Sequence, residues 1–452
     1  MHSKRLLVRP IALAFIAIAI PFVINEWFGA SFHKSNAWYL RILNPDYWYR
    51  KYAPGPDPLQ MDEIRIVSLA RGDTPGAVLG QYACTHREFM AGLLDKLATV
   101  KPSVVVIDKW YNQLPAGVCP GDTDATPKLK EAIRNLSAAT KVVIAVASYK
   151  PGESPQYCPE AQSKKLQPEQ VVLTNYEHLL DFGPLDAENN NPEARVRWGL
   201  ARINSEVRKI PLGWMVFQDC NQVTTAVANM MPTLSTAAAM LVNKTIMQGH
   251  HLANLESAVT HPYTKLVPDG FKFVPAIQLI CDQPSETADW KKCPSGEHDA
   301  QARQSIAGKK IIIGETTERD AFETDEGEIK GPILQANYLA SMFSDNSIFS
   351  PVPSWVNYTI SGAWLFLVFL IFYRWLKHSP ALAALVSVVS TVALGLMFSA
   401  VITRQFGIFA DVLPPTILEI IGLYLARTIE TLLEHGQTER VPKERHGRKV
   451  RA

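Results

Sequence analysis

Val104-Val-Val-Ile-Asp108 is a short, continuous apolar run that ends on an acidic residue. Such a run is typical of a strand that is buried on both faces of a parallel sheet. Helical spacing of apolar residues precedes the run at 86–97 and follows it at 127–136, and further apolar runs lie at 64–70 and 141–147. The resulting order βαβαβ predicts an α/β domain with a mainly parallel sheet and right-handed crossovers.

Two threonines mark the predicted starts of the helices in this unit. Thr85 is a candidate N-cap residue, and Glu88 three positions later completes a capping box. Thr126 is the candidate N-cap of the second helix, where Pro127 would occupy the first helical position.

Beyond this unit the pattern predicts single elements that are separated by loops. Strands are predicted at 171–174, 271–275 and 310–314, and helices are predicted at 232–248 and 332–343. The run at 310–314 is as apolar as the run at 104–108 and should be buried in the same way.

Composition and charge exclude several classes of protein. Lys and Arg number 45 and Asp and Glu number 43, so the net charge of +2 argues against a dedicated nucleic-acid binder. The chain carries no glycine-rich phosphate loop, no nucleophile elbow and no zinc-binding His-Glu-x-x-His helix. We therefore expect a protein that is not an enzyme and that holds no cofactor and no metal.

Four apolar stretches interrupt the charged sequence and predict four transmembrane helices. The predicted helices cover 10–28, 354–374, 380–403 and 411–432, one before the α/β domain and three after it. The first stretch could instead be a cleaved signal peptide, and the fourth could be a re-entrant or surface helix. Whether helix 1 is cleaved and whether helix 4 spans fully both stay open.

Basic residues flank these stretches unevenly and predict their orientation. Lys4, Arg5 and Arg9 precede the first stretch, and the tail from 433 to 452 is basic. By the positive-inside rule, residues 1–9 and 433–452 lie in the cytoplasm. Residues 29–353 then form a large domain outside the cytoplasm.

Cysteine usage agrees with this placement. All six cysteines fall inside the segment assigned to the outside, and an even number in an exported domain indicates disulfides. The candidates are Cys84, Cys119, Cys158, Cys220, Cys281 and Cys293. Cys281–Cys293 is the favoured pair because it closes a short loop, and the other pairings stay open. The cysteines lack the Cys-x-x-Cys spacing of a zinc site.

The carboxyl ends of the predicted strands are the candidate ligand-binding edge, because ligands of parallel α/β sheets bind there. The candidate residues at this edge are Arg71, Asp108, Lys109, Tyr111, Glu315, Thr316 and Asp320. The alternative is a solvated loop edge with surface ion pairs. Asp108 stands out because an acid at the end of an apolar strand is unfavourable unless it is paired. Glu419, inside the fourth apolar stretch, is a candidate for coupling within the membrane.

Several short segments carry a family resemblance. The longest is Gly308-Lys-Lys-Ile-Ile-Ile-Gly-Glu-Thr-Thr-Glu-Arg-Asp-Ala-Phe-Glu-Thr-Asp325, and the others are Gly331-Pro-Ile-Leu-Gln-Ala-Asn337, the run 104–111, Asp124 with Leu129 and Ile133, and Val196-Arg197. In this order, with one apolar stretch before and three after, they resemble the CHASE type-2 extracellular sensory domains. Members of that family usually continue into a cytoplasmic output domain, whereas about 20 residues follow the fourth stretch here.

The resemblance implies a standalone periplasmic sensory domain in a multi-pass protein of the bacterial inner membrane. Such a protein would perceive an extracytoplasmic signal and pass it to a separate cytoplasmic signalling protein. The alternative is a structural or accessory subunit of a cell-envelope complex. The implied partners are the lipid bilayer and one of these proteins, and a homodimer is one possible assembly.

Overall fold

The computed structural model describes mainly the helices and strands of the α/β domain. The described residues are 54–69, 82–111, 125–149, 170–173, 179–180, 182–185, 195–203, 207–218, 229–243, 263–280, 297–316, 320–324, 327–344, 347–351 and scattered positions from 359 to 409. The chain divides into two compact units, one of residues 54–350 and one of residues 1–53 with 351–452.

The first unit alternates strands and helices. The helices are α1 (Pro58–Asp62), α2 (Tyr82–Val100), α3 (Thr126–Ala139), α4 (Leu234–Val242), α5 (Ala276–Ile280), α6 (Glu297–Ile306) and α7 (Gly331–Met342). The strands before α4 are β1 (Ile64–Leu69), β2 (Val104–Asp108), β3 (Lys141–Val146), β4 (Ser148–Tyr149), β5 (Gln170–Leu173), β6 (Val196–Leu200), β7 (Gly213–Phe217) and β8 (Asn229–Pro232). The later strands are β9 (Tyr263–Thr264), β10 (Lys272–Pro275), β11 (Lys310–Glu315), β12 (Ala321–Thr324), β13 (Gly327–Lys330) and β14 (Ile348–Pro351).

A parallel sheet of six strands forms the centre of this unit. Its order is β10-β1-β11-β2-β3-β6, and each neighbouring pair is parallel. The strands predicted from the apolar runs at 64–70, 104–108, 141–147 and 310–314 are all confirmed in it. The prediction of an α/β domain with a mainly parallel sheet is therefore confirmed.

Helices cover both faces of the sheet, because alternate residues of each strand point to opposite sides. On one face, Val67, Val105 and Ile311 share a core with α2 and α3. On the other face, Ile66, Val106 and Ile312 share a core with α4 and α7. Burial on both faces explains why these strands are apolar without alternation.

A second sheet of four strands has the order β4-β5-β7-β8. Strand β5 confirms the strand predicted at 171–174, although it lies in this smaller sheet. Strands β6, β7 and β8 were not predicted. In β6, Val196-Arg-Trp-Gly-Leu200 mixes a buried arginine with apolar residues and gives no clear period.

Three predicted helix starts are wrong in detail. Helix α2 begins at Tyr82, so Thr85 lies in its first turn instead of before it. Thr126 is the first residue of α3, and its hydroxyl accepts a hydrogen bond from Arg87 Nη1 instead of capping the helix. Helix α4 begins at Leu234, because Met231 and Pro232 still pair in strand β8.

The second unit is described only at scattered positions. In the described part of the chain, no helix has both the length and the apolar character that crossing a bilayer requires. The predicted spans 10–28, 354–374, 380–403 and 411–432 lie outside the described residues except for single positions. Those positions are helical and are Thr359, Ala363, Val386, Val389, Ser390, Ala393 and Met397. Residues 408–409 form the short strand β15 (Ile408–Phe409). The four membrane helices, with the termini 1–9 and 433–452, stay a prediction.

Candidate functional site

The carboxyl edge of the sheet gathers the ends of β1, β11 and β2. Leu69 at the end of β1 pairs with Glu315, and Gly314 pairs with Asp108 at the end of β2. The helix that follows β11 packs on one face of the sheet, whereas the helices that follow β1 and β2 pack on the other. Neighbouring strands with connections on opposite faces leave a crevice at their carboxyl ends, which is where α/β proteins bind ligands.

Lys109 and Glu315 form an ion pair across the end of β11 and β2. The Lys109 ammonium donates to Glu315 Oε1, and both side chains are about a quarter exposed. The pair joins residues that are 206 positions apart in the chain. It neutralises one acid of this edge, and Thr316, half-buried, follows directly after it.

Asp108 is the half-buried acid at the end of β2. Its side chain lies against Gly314, where a methyl group on the glycine would be 3.4 Å from Asp108 Cβ. Burial raises the pKa of Asp108 to about 7, the nearby Asp320 carboxylate raises it too, and Lys109 opposes both effects. Among the described residues, none donates a hydrogen bond to the Asp108 carboxyl group. Asp108 is therefore poised to gain or lose a proton near neutral pH.

Asp320 is the second acid, and it lies against the first residue of α7. A methyl group on Gly331 would overlap the Asp320 carboxylate, with Cγ and Oδ1 at 2.7 Å. The N-cap residue of α7 is Lys330, whose side chain makes no capping hydrogen bond. The helix dipole favours an ionised Asp320 at this position. Burial and the Glu315 charge act the other way and raise its pKa to about 6, against Lys109 and Lys330.

The first turn of α7 packs directly on strand β11. A methyl group on Gly314 would lie 2.5 Å from Cγ of Pro332. A glycine at 314 therefore lets the helix approach the strand, and a glycine at 331 lets Asp320 approach the helix. The two acids, the strand end and the helix start form one packed unit.

Helix α2 adds a basic and aromatic group that sequence reasoning did not include. His86 and Arg87 are buried, and Arg87 Cζ lies 5.7 Å from the centre of the Tyr111 ring. The His86 ring lies 6.1 Å from the same ring. Burial, with the charges of Lys109 and Arg87, lowers the pKa of His86 to about 3, so the imidazole is neutral at physiological pH. The sequence does carry a signal for this group, because the polar residues His86 and Arg87 are adjacent in a helix that has an apolar face.

The predicted site residues divide into those that the structure brings together and those that it does not describe. Asp108, Lys109, Glu315 and Asp320 interact through contacts or charge, and Tyr111 packs beside them on His86 and Arg87. Arg71 and Glu419 lie outside the described residues. Of the six cysteines, only the backbone of Cys84 is described, inside α2, and the disulfides stay a prediction.

Within the described ranges, no three His, Cys, Asp or Glu side chains group closely enough to ligate a metal ion. The edge offers carboxyl groups, one paired lysine and an exposed indole at Trp110, which suit polar contacts and proton exchange.

A family model described as CHASE2 domain matches residues 33–372. The match includes the whole first unit and all six strands of the main sheet. The family is one of extracellular sensory domains, in agreement with the resemblance carried by the sequence motifs. No curated protein and no solved structure is significantly similar to the chain.

Proposed function

The chain belongs to the CHASE2 domain family, and we propose that it is a sensor anchored in the bacterial inner membrane. Its α/β domain lies in the periplasm, binds or responds to an extracytoplasmic signal, and passes a change of state to a separate cytoplasmic signalling protein. The signal must favour one conformational state over the other, because a ligand without differential affinity shifts no equilibrium.

The observation that carries the proposal is the position of α7. The helix begins in the site, where Gly331 and Pro332 contact Asp320 and Gly314. It is buried along its whole length, and after strand β14 the chain enters the predicted span 354–374. The predicted span begins shortly after α7 ends in the sequence, and the signal is proposed to pass along this short connection.

Exposed apolar side chains support the membrane anchor. Val386, Val389 and Met397 are helical, and 38 %, 59 % and 65 % of these residues are exposed. In the predicted span 380–403, helical periodicity would put these three positions on one face. Exposed apolar surface of this kind favours contact with lipid over contact with water.

The test is affinity purification of the detergent-solubilised full chain through a C-terminal tag, with mass spectrometry of the bound proteins. We expect a cytoplasmic kinase, cyclase or response regulator, and we expect its recovery to fall when residues 440–452 are deleted. Envelope proteins alone, recovered equally without that tail, would contradict the sensor and favour the accessory subunit. The control is an unrelated membrane protein that carries the same C-terminal tag. It identifies proteins that are recovered only because they adhere to detergent micelles.

A further inference from the structure

Two acids from distant parts of the sequence meet at the first turn of α7. Asp108 ends strand β2 and lies against Gly314, which itself contacts the ring of Pro332. Asp320 precedes the hairpin β12–β13 and lies on Gly331. Strand β13 runs directly into α7 with no residue between them.

Among the described residues, each charged group near this pair has a partner of its own, and none is a cation dedicated to the two acids. From β2 and the residue after it come Asp108 and Lys109, and from β11 comes Glu315, which takes the Lys109 ammonium. Asp320 precedes the hairpin, which itself brings Glu323, Glu328 and Lys330, and Lys330 donates to Glu328. Helix α2 brings Arg87, which donates to Thr126, and the neutral His86. Helix α7 contributes no acidic or basic side chain. Both lysines are thus engaged with other carboxylates.

We propose that Asp108 and Asp320 form a proton-operated switch, in which release of a proton from the pair loosens the hairpin β12–β13 and the first turn of α7. This inference rests on the proposed function and names protons as the signal. Protonated, the pair packs as neutral groups on Gly314 and Gly331. Ionised, two like charges face each other at a half-buried place, and separation of the hairpin from the sheet relieves the repulsion.

The titration of the pair lies in the range that such a switch needs. Burial raises the pKa of Asp108 to about 7, and burial raises that of Asp320 to about 6. Interacting acids of this kind release their protons in two steps that belong to the pair. The periplasm of a bacterium follows the external pH, and an acidic medium would therefore hold the pair in the protonated state.

The sign of the effect on stability follows from the direction of the shifts. A carboxyl group whose pKa is raised in the folded state binds its proton more tightly there than in the unfolded chain. Its contribution is fully present below the unfolded value of 3.8 and is lost progressively as the pH rises to the folded value, about 6 for Asp320 and about 7 for Asp108. His86 acts in the opposite sense, because its pKa is lowered in the fold and the unfolded chain binds its proton below about 6.5. The test therefore compares the wild type with variants that all retain His86, so that the contribution of His86 is the same in each.

The experiment measures urea unfolding of the full chain in detergent at pH 5.5 and pH 7.5. The unfolding constant of the wild type should rise with pH relative to that of Asp108→Asn by about 20-fold, which is the linkage expected for a shift from 3.8 to about 7. Asp95→Asn, an exposed acid on α2, is the matched control and should behave as the wild type. If Asp108→Asn fails to fold, Asp320→Asn should show a difference of about 4-fold.

Hydrogen–deuterium exchange separates a switch from a merely structural acid. Between pH 5.5 and 7.5, with labelling times scaled for intrinsic exchange, peptides of residues 320–342 should lose protection in the wild type and in Asp95→Asn. The same peptides should stay protected in Asp108→Asn. Equal pH dependence in all variants, or unchanged protection at 320–342, would overturn the switch. Both measurements use the purified chain without a partner, so their failure leaves the co-purification test of the sensor function intact.

Discussion

Gly314→Ala is expected to push the first turn of α7 away from strand β11. The added methyl group would lie 2.5 Å from Cγ and 3.3 Å from Cβ of Pro332. Carbon atoms in good contact lie about 3.5–4.0 Å apart, so the ring must retreat by about 1 Å. The proline ring is closed onto its own backbone and can change only its pucker, and the helix that carries it is fully buried. The displacement therefore passes into the helix.

The expected cost follows from two opposing effects. Overpacking of a buried contact costs about 1–3 kcal/mol. Replacement of glycine by alanine returns about 0.4–1 kcal/mol, because the unfolded chain loses freedom. We expect a net loss of about 1–2 kcal/mol in the free energy of unfolding, or a factor of about 5–30 in the unfolding constant.

Urea unfolding of the detergent-solubilised full chain, followed by tryptophan fluorescence, measures this loss. Gly55→Ala is the matched control, because its methyl group would meet Val267 Cγ2 at an ordinary 3.4 Å. That control should be neutral or stabilising by up to about 1 kcal/mol. Pro332→Ala should restore part of the stability when it is combined with Gly314→Ala, as expected for residues in contact. Equal stability of Gly314→Ala and the wild type would refute the close packing of α7 on β11.

Three further outcomes are expected. Asn337→Ala should lower the free energy of unfolding in urea by about 2–4 kcal/mol. Asn337 Oδ1 accepts from Val267 N–H at 2.7 Å and Nδ2 donates to Val267 O at 3.0 Å, so both backbone groups would lose this partner. The exposed Asn135→Ala is its control and should stay within about 0.5 kcal/mol of the wild type; equal losses would refute the role of Asn337. Alkaline phosphatase fused after residue 350 should be active and after residue 452 inactive, and activity at both points would contradict an even number of spans. Peptide mapping without reductant should recover Cys281 linked to Cys293, and free thiols at both positions would contradict an oxidised domain.

The local sequence pattern was sufficient to predict the strands that are buried on both faces. Strands β1, β2, β3 and β11 are covered on both faces, so apolar residues are favoured at consecutive positions instead of at alternate ones. Strand β6 lies at the edge of the sheet and carries the buried Arg197, whose pKa is lowered by burial. Its charged and aromatic side chains are selected by contacts with residues that are distant in the sequence. Periodicity within the segment therefore does not predict this strand.

The candidate site was predictable as a set of strand ends but not as a cluster. A rule on parallel sheets was enough to select Asp108, Lys109, Glu315 and Asp320. The rule does not order the strands, and β11 was not expected between β1 and β2. That insertion makes Gly314 the neighbour of Asp108 and brings Glu315 to Lys109. His86 and Arg87 escaped prediction because they reach Tyr111 from a helix whose pattern shows only its apolar face.

The sequence by itself determined the class of the domain, its family and most of its central strands, because burial on both faces and short ordered motifs leave their mark in consecutive residues. It also placed the acids at strand ends. Only the tertiary structure decided that β11 lies between β1 and β2, that Asp320 rests on Gly331, and that α7 begins in the same contact. The reason is physical: strand order and helix docking arise from contacts between residues that are about 200 positions apart, and an ion pair such as Lys109–Glu315 exists only where the fold brings such residues together.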